Sequence, residues 1–258
     1  MTLPTLFIGH GSPMNAIEDN SVRRSWQDIA ARIPRPKAVL CISAHWETRG
    51  VHVTSADAPE TIHDFGGFPQ ALFDAQYPAP GNPVLARRIA ELLAPESVGM
   101  DETRGLDHGA WSVLMAMYPN ADVPTVQLSL DMTQPPAFHY DLARRLSPLR
   151  DEDVLIMGSG NIVHNLRVFF SHGHMSFEWA RRFNDAAKSR IASGHHDDLI
   201  AYERLDPEAV LSVPTPEHYL PALYPLALQR SDEDVLFFSD TEPDSFFMTS
   251  FVIGAMHK

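Results

Sequence analysis

Four histidines stand where a metal ligand or a proton carrier would be useful: His10, His45, His164 and His218. His10 and His45 each follow a short apolar run, Thr5–Ile8 and Ala38–Ser43, by two residues. His164 comes shortly after Val154–Met157, past a turn expected at Gly158-Ser159-Gly160-Asn161. His218 lies in the Pro-rich segment Pro214-Thr215-Pro216-Glu217-His218-Tyr219-Leu220-Pro221, where proline stiffens the backbone. Imidazole suits zinc, copper and non-haem iron, and two or three histidines with or without a carboxylate hold such a metal and leave positions open. It also moves protons near neutral pH. Against this stands the plainer reading that each is a loop or core residue satisfied by hydrogen bonds. Spacing alone does not decide.

Other residues carry weaker signals. Asp107 precedes His108 at the start of a helical pattern, where it either orients the imidazole or caps the helix. His63-Asp64-Phe65-Gly66-Gly67-Phe68-Pro69 reads as an aromatic loop, with His63, Phe65 and Phe68 either covering a pocket or packing as a turn. His172, His174, His195 and His196 fall in polar stretches and read as solvated, while His52, His139 and His257 suggest nothing. Cys41, inside an apolar run, reads as an inert buried thiol.

Elements must hold these side chains together. Thr5–Ile8, Ala38–Ser43, Thr125–Leu130, Val154–Met157, Val235–Ser239 and Phe247–Ile253 read as strands, and continuous apolar runs suit strands buried on both faces. Helices are expected over Asn82–Leu93, Gly109–Tyr118, Pro136–Leu146 and Ser176–Ile191, the last with Phe177, Ala180, Phe183, Ala187 and Ile191 on one stripe. Alternating strands and helices predict an α/β fold, a mainly parallel central sheet flanked by helices, with residues 1–258 as a single domain. Ligand sites in such sheets gather beyond the carboxyl ends of the strands, which is where three of the four histidines fall.

The 258 residues carry 20 Lys+Arg against 33 Asp+Glu, a net charge of −13, which argues against a general nucleic-acid or anionic-membrane binder. With 44% hydrophobic residues the chain reads as globular rather than disordered. One Cys among 13 His excludes an intramolecular disulfide framework and any Cys-rich metal site, so the metal would be held by nitrogen and oxygen. Met1-Thr2-Leu3-Pro4 lacks the features of a signal peptide, and no apolar run nears the ~18 residues of a membrane span, so a cytoplasmic protein is expected. Walker A, His-Glu-x-x-His and Gly-x-Ser-x-Gly sequences are missing, and the Gly-x-Gly at Gly158 lacks a third glycine.

Six motifs occur in one order: Gly9-His10-Gly11-Ser12-Pro13-Met14, Ser43-Ala44-His45-Trp46, Thr61 through Pro69, Gly105-Leu106-Asp107-His108-Gly109, Gly160-Asn161-Ile162-Val163-His164-Asn165, and Pro214 through Pro221. Together they closely resemble the 4,5-DOPA extradiol dioxygenases, a branch of the class III extradiol ring-cleavage dioxygenases. The resemblance implies a non-haem Fe(II) enzyme that inserts O2 into DOPA or a similar small catechol and yields a ring-opened semialdehyde. It implies His10, His45 and His218 as metal ligands, His164 as a base or a further ligand, and His108 as a second acid–base group facing the substrate. The wider class uses two histidines and one glutamate, so Glu217 beside His218 leaves the third ligand open, with His218 favoured by the DOPA branch. Zn(II) could fill the same donors in purified protein. A zinc hydrolase on the same fold and a non-catalytic binding relative are the rival readings. The native catechol, the position of ring cleavage and the choice between monomer and small homo-oligomer stay open.

Overall fold

Every apolar run read from the sequence becomes a strand of one sheet in the computed structural model, which describes residues 2–172, 175–239 and 247–256. The strands are β1 (Thr5–Gly9), β2 (Ala38–Thr48), β3 (Val51–Thr54), β4 (Val98–Asp101), β5 (Thr125–Asp131), β6 (Val154–Gly160), β7 (Val235–Phe238) and β8 (Ser250–Ile253). Their order is β4-β3-β5-β2-β6-β1-β8-β7. The centre, β5-β2-β6-β1, is parallel throughout, and antiparallel pairs join β3 to β5, β8 to β1 and β7 to β8.

Alternate residues of the central strands feed two cores. Leu40, Ile42, Val126, Leu128 and Ile156 enter one, and Val39, Cys41, Leu155 and Met157 enter the other. A sheet covered on both faces needs apolar side chains at both parities, and that is why these strands read as unbroken runs. Burial of Cys41 pushes its thiol well above the usual range, in keeping with an inert side chain.

The anticipated helices form at Pro83–Leu93, His108–Met117, Pro136–Arg144 and Glu178–Ala192. Asn82 caps the first by accepting a hydrogen bond from Leu85 N at 3.0 Å. A further helix, Ser21–Arg32, and the outer strands β3 and β4 add to what the sequence predicts. Among the described residues no helix is long and apolar enough to cross a membrane.

Two departures in strand length matter for the site. β2 runs past Ser43 to Thr48, with a register shift against β5: Ile42 pairs with Leu128 but Glu47 with Leu130. His45 therefore sits within a bulged stretch of strand rather than beyond its end. Bulges of this kind re-aim side chains next to functional sites. β6 likewise runs through Gly158-Ser159-Gly160, residues that the sequence suggests are a turn. Residues 158 and 160 are glycines because another segment lies directly on the strand. A Cβ at Gly160 would fall 2.1 Å from the His218 carbonyl oxygen, and one at Gly158 would fall 2.1 Å from that of Pro221.

Candidate metal centre and active site

Five imidazoles converge at the carboxyl end of the parallel strands. His10 follows β1, His45 lies in the β2 bulge, and His108 opens the helix His108–Met117. His218 is pressed onto β6, its carbonyl accepting from Asn161 N at 2.8 Å. Ring centroids separate His10 from His45 by 5.0 Å, from His218 by 5.5 Å and from His108 by 5.7 Å. His164 stacks on His218 at 3.4 Å with its plane tilted by 9°. One donor atom each from His10, His45 and His218 falls within 4.8 Å of the others. His164 meets that criterion with Glu217 and His218 instead.

Hydrogen bonds fix which nitrogen faces inward. The Ser159 hydroxyl donates to the Gly109 carbonyl at 2.5 Å, so its oxygen can only accept from Nδ1–H of His10, 2.9 Å away. That leaves the His10 Nε2 lone pair pointing at Nε2 of His45, 3.0 Å distant. Nδ1 of His218 lies 3.1 Å from the Glu217 carboxylate, which can only accept, so its Nε2 too is left as a lone pair. Carboxylate or hydroxyl partners on the outer nitrogen are the usual device for orienting metal-binding histidines.

Electrostatics point the same way. Burial, reinforced by the neighbouring imidazoles, holds His10 and His218 well below the usual imidazole range. Burial also brings His45 and His164 down to about 4. These rings are neutral at pH 7, the protonation state a metal ligand requires. The His10 lone pair faces His45 Nε2 at 3.0 Å. His10 has no proton of its own to place there, because it is committed to Ser159. A proton on His45 Nε2 fills the gap as a hydrogen bond, and a cation can take the same place when His45 carries its proton on Nδ1. Two nitrogens each ~2.1 Å from one ion stand about 3 Å apart when the bonds are at right angles. The donor set fits a divalent transition metal at His10, His45 and His218.

The His45 bulge is held from beneath. Its N–H donates to Ser43 Oγ at 3.2 Å and its carbonyl accepts from Arg104 Nη2 at 2.9 Å. Both supports lead to the fully buried Asp107 carboxylate, which takes bonds from Ser43 Oγ at 2.7 Å, Gln127 Nε2 at 2.7 Å and Arg104 Nη2 at 3.4 Å. Asp107 also caps its helix, accepting from Ala110 N at 3.2 Å. Of the two roles the sequence leaves open for Asp107, the structure shows the cap.

Orientation of His108 comes from Asp64. Asp64 Oδ1 accepts from His108 Nδ1 at 2.9 Å and from His108 N at 3.0 Å. Burial pushes the Asp64 carboxyl up, but the His108 bonds and the nearby His45 outweigh it and bring it down to about 2. The rest of its loop is a packed turn. Phe65 contacts Phe68, Phe73 and Trp111 and meets the His108 ring edge-on at 5.6 Å. His63 bonds the Ala75 carbonyl at 2.9 Å and packs on Trp111, taking no place among the five imidazoles.

Sequence reasoning names all five histidines but misses their supports: Asp64, Ser159, Ser43, Arg104 and Gln127. Of the remaining histidines, His172 and His195 are exposed as anticipated. His196 is half-buried against the Tyr140 hydroxyl at 2.8 Å, a correction to its solvated reading that arises because Tyr140 reaches it from another helix. His139 is fully buried, between the Tyr224 hydroxyl at 3.0 Å and the Asp131 carbonyl at 3.2 Å. His174 and His257 lie outside the described residues. Two surface hollows, of about 540 and 360 Å3, are lined by no histidine.

Comparison with known proteins identifies the family. A 4,5-DOPA dioxygenase extradiol of Escherichia coli (strain K12) is 50% identical over 257 residues, covering 98% of this chain and 95% of its own. A protein of the same name from Beta vulgaris is 43% identical over 225 residues, covering 84% and 83%. The crystal structure of an uncharacterized protein from Escherichia coli K12 superposes with a TM-score of 0.85 at 43% identity, covering 98% of this chain and all of that one. Residues 4–234 match the family described as the catalytic LigB subunit of aromatic ring-opening dioxygenase. On that match and those near-full-length relatives, this chain belongs to the LigB family of aromatic ring-opening dioxygenases.

Proposed function

We propose that this protein is a non-haem Fe(II)-dependent extradiol dioxygenase, opening the ring of DOPA or a similar small catechol with O2 to give a ring-opened semialdehyde. The observation that carries this reading is the inward convergence of neutral imidazoles from His10, His45 and His218, flanked by two further imidazoles. Relatives bearing the 4,5-DOPA dioxygenase name support the substrate class. A ferrous ion held by these three nitrogens would supply a positive charge that acidifies the catechol hydroxyls and a common point for ring and O2. Zn(II) fits the same donors.

The flanking side chains divide the proton work. His164, neutral at pH 7, accepts a catechol proton, and the Glu217 carboxylate nearby favours the imidazolium that results. His108 keeps its Nδ1 proton on Asp64 and offers Nε2 as a second acid–base group. Phe65 and Phe68 form an apolar wall beside it, and that wall excludes water from the ring. His63 serves the loop rather than the substrate.

Protein loaded anaerobically with Fe(II), mixed with DOPA and then given O2, should consume one O2 per ring opened and form a yellow product. Absence of turnover across a panel of catechols refutes the assignment. Hydrolysis of an ester or amide by the Zn(II) form without O2 uptake would replace it with the hydrolase reading.

A further inference from the structure

One carboxylate bonds one imidazole of the site, faces a second, and belongs to neither a strand nor a helix. Asp64 Oδ1 takes both hydrogen bonds from His108, through its ring and its backbone N–H, while Oδ2 stands 3.8 Å from Nδ1 of His45. The His45 and His108 rings are themselves only 3.9 Å apart. The base of the Asp64 loop is stitched to the strand-like segment just ahead of His108. Thr61 and Leu106 form an isolated bridge, Ile62 N donates to the Leu106 carbonyl at 2.8 Å, and Trp111 Nε1 donates to the Ile62 carbonyl at 2.8 Å. These bonds tie the loop to the segment that carries His108.

We propose that Asp64 is a positioning residue that serves two rings at once. Its Oδ1 keeps the His108 proton on Nδ1, and its Oδ2 keeps Nδ1 of His45 protonated so that the His45 Nε2 faces the metal. A carboxylate only accepts hydrogen bonds, so His108 must turn an N–H towards it and a lone pair away; at 3.8 Å its charge favours, without a direct hydrogen bond, the same arrangement in His45. The loop is thus the common outer support of one candidate ligand and one candidate acid–base group. The chief alternative is that Asp64, His45 and His108 themselves hold a second ion, since their donor atoms also lie within 4.8 Å of one another. The two bonds from His108 to Oδ1 argue against it, because an ion there would have to displace the ring proton that the carboxylate already holds.

Asp64→Asn and Asp64→Ala separate the two effects. Asn can keep its oxygen on the His108 N–H groups, but its amide then faces Nδ1 of His45 with a donor in place of an acceptor. Ring-nitrogen NMR of metal-free and Zn(II)-loaded protein at a pH where the rings are neutral should show His108 as a single Nδ1–H tautomer in the wild type and in Asp64→Asn, and as a mixture in Asp64→Ala. Zn(II) affinity, measured by chelator competition, should fall about 10- to 100-fold in Asp64→Asn. Wild-type chain should bind one Zn(II) at this site. A second Zn(II) lost in Asp64→Asn overturns the proposal in favour of a ligand role, and an unchanged His108 tautomer in Asp64→Ala overturns it outright.

The catalytic consequence rests on the dioxygenase reading: Asp64→Ala should lower kcat on DOPA about 10- to 100-fold with KM little changed. The tautomer and Zn(II) measurements do not depend on turnover, so they test the positioning role even if no catechol is opened.

Discussion

Ser159 holds His10 by having nothing left to give: its one proton goes to the Gly109 carbonyl, so it meets Nδ1 of His10, 2.9 Å away, as an acceptor. The ring is thereby locked with Nε2 inward without any charged partner. Ser159 is the uncharged counterpart of the carboxylates that face His45, His108 and His218.

Ser159→Ala should therefore loosen the ligand rather than unfold the sheet. The buried Nδ1–H of His10 loses its acceptor, which costs about 1–3 kcal/mol of stability. Metal affinity should fall about 10- to 100-fold. Urea unfolding and Zn(II) competition read the two effects separately, and unchanged affinity would show that Ser159 does not set the tautomer.

The third donor can be assigned by contrast. Glu217 sits 3.1 Å from Nδ1 of His218 and takes a hydrogen bond from Thr215 Oγ1 at 2.9 Å, the position of a support rather than a ligand. His218→Ala should abolish stoichiometric metal binding, while Glu217→Gln should keep it at about 10-fold lower affinity. Metal analysis after dialysis against a weak chelator distinguishes them, and the reverse ranking would make Glu217 the ligand.

Away from the site, Arg150 is fully buried and clasps three parts of the chain. It donates to the Leu3 carbonyl at 2.8 Å and the Leu228 carbonyl at 2.6 Å, and pairs with the Glu233 carboxylate. Arg150→Ala leaves two carbonyls without their donor and a mostly buried Glu233 carboxylate with only the Arg230 N–H, and should cost about 3–5 kcal/mol. Chemical denaturation measures the loss, and metal affinity per folded molecule should not change.

Acid should destabilise the metal-free protein in a way that involves His139. Burial lowers this ring from 6.5 to about 4 in the folded state, where it accepts from Tyr224 and donates to the Asp131 carbonyl. Between those values the unfolded chain binds the extra proton, so the contribution is intact above pH ~6.5 and is lost as pH falls towards ~4. At most it amounts to about 3 kcal/mol. Stability measured against pH should fall less steeply in His139→Gln than in the wild type, both stripped of metal; equal slopes would contradict the assignment.

The histidines are legible because strand ends and stiff loops announce themselves in one dimension. Their supports are not. Ser159 lies in a glycine-rich stretch that reads as a turn, because nothing local reveals that the 218–221 segment rests on it. Asp107 is next to His108 in sequence but faces the other way, into the pocket under the bulge, whereas Asp64 reaches His108 from 44 residues upstream. The bulge in β2 is equally silent, since burial on both faces erases the alternation that would expose a register shift. Adjacency in the chain finds the Glu217–His218 bond but misassigns the carboxylate that holds His108.

The glycines of β6 have a consequence for how this protein can diverge. His218 and Pro221 bear on Gly160 and Gly158 through their carbonyl oxygens, so the height of His218 above the sheet is set by peptide against peptide. The nearest contacts are backbone to backbone, with the side chains of Phe7 and Pro221 farther off at 3.3 Å. Core residues remote from this contact should then vary in size with little effect on the separation between the halves of the histidine set, and tolerance should end sharply at those two glycines.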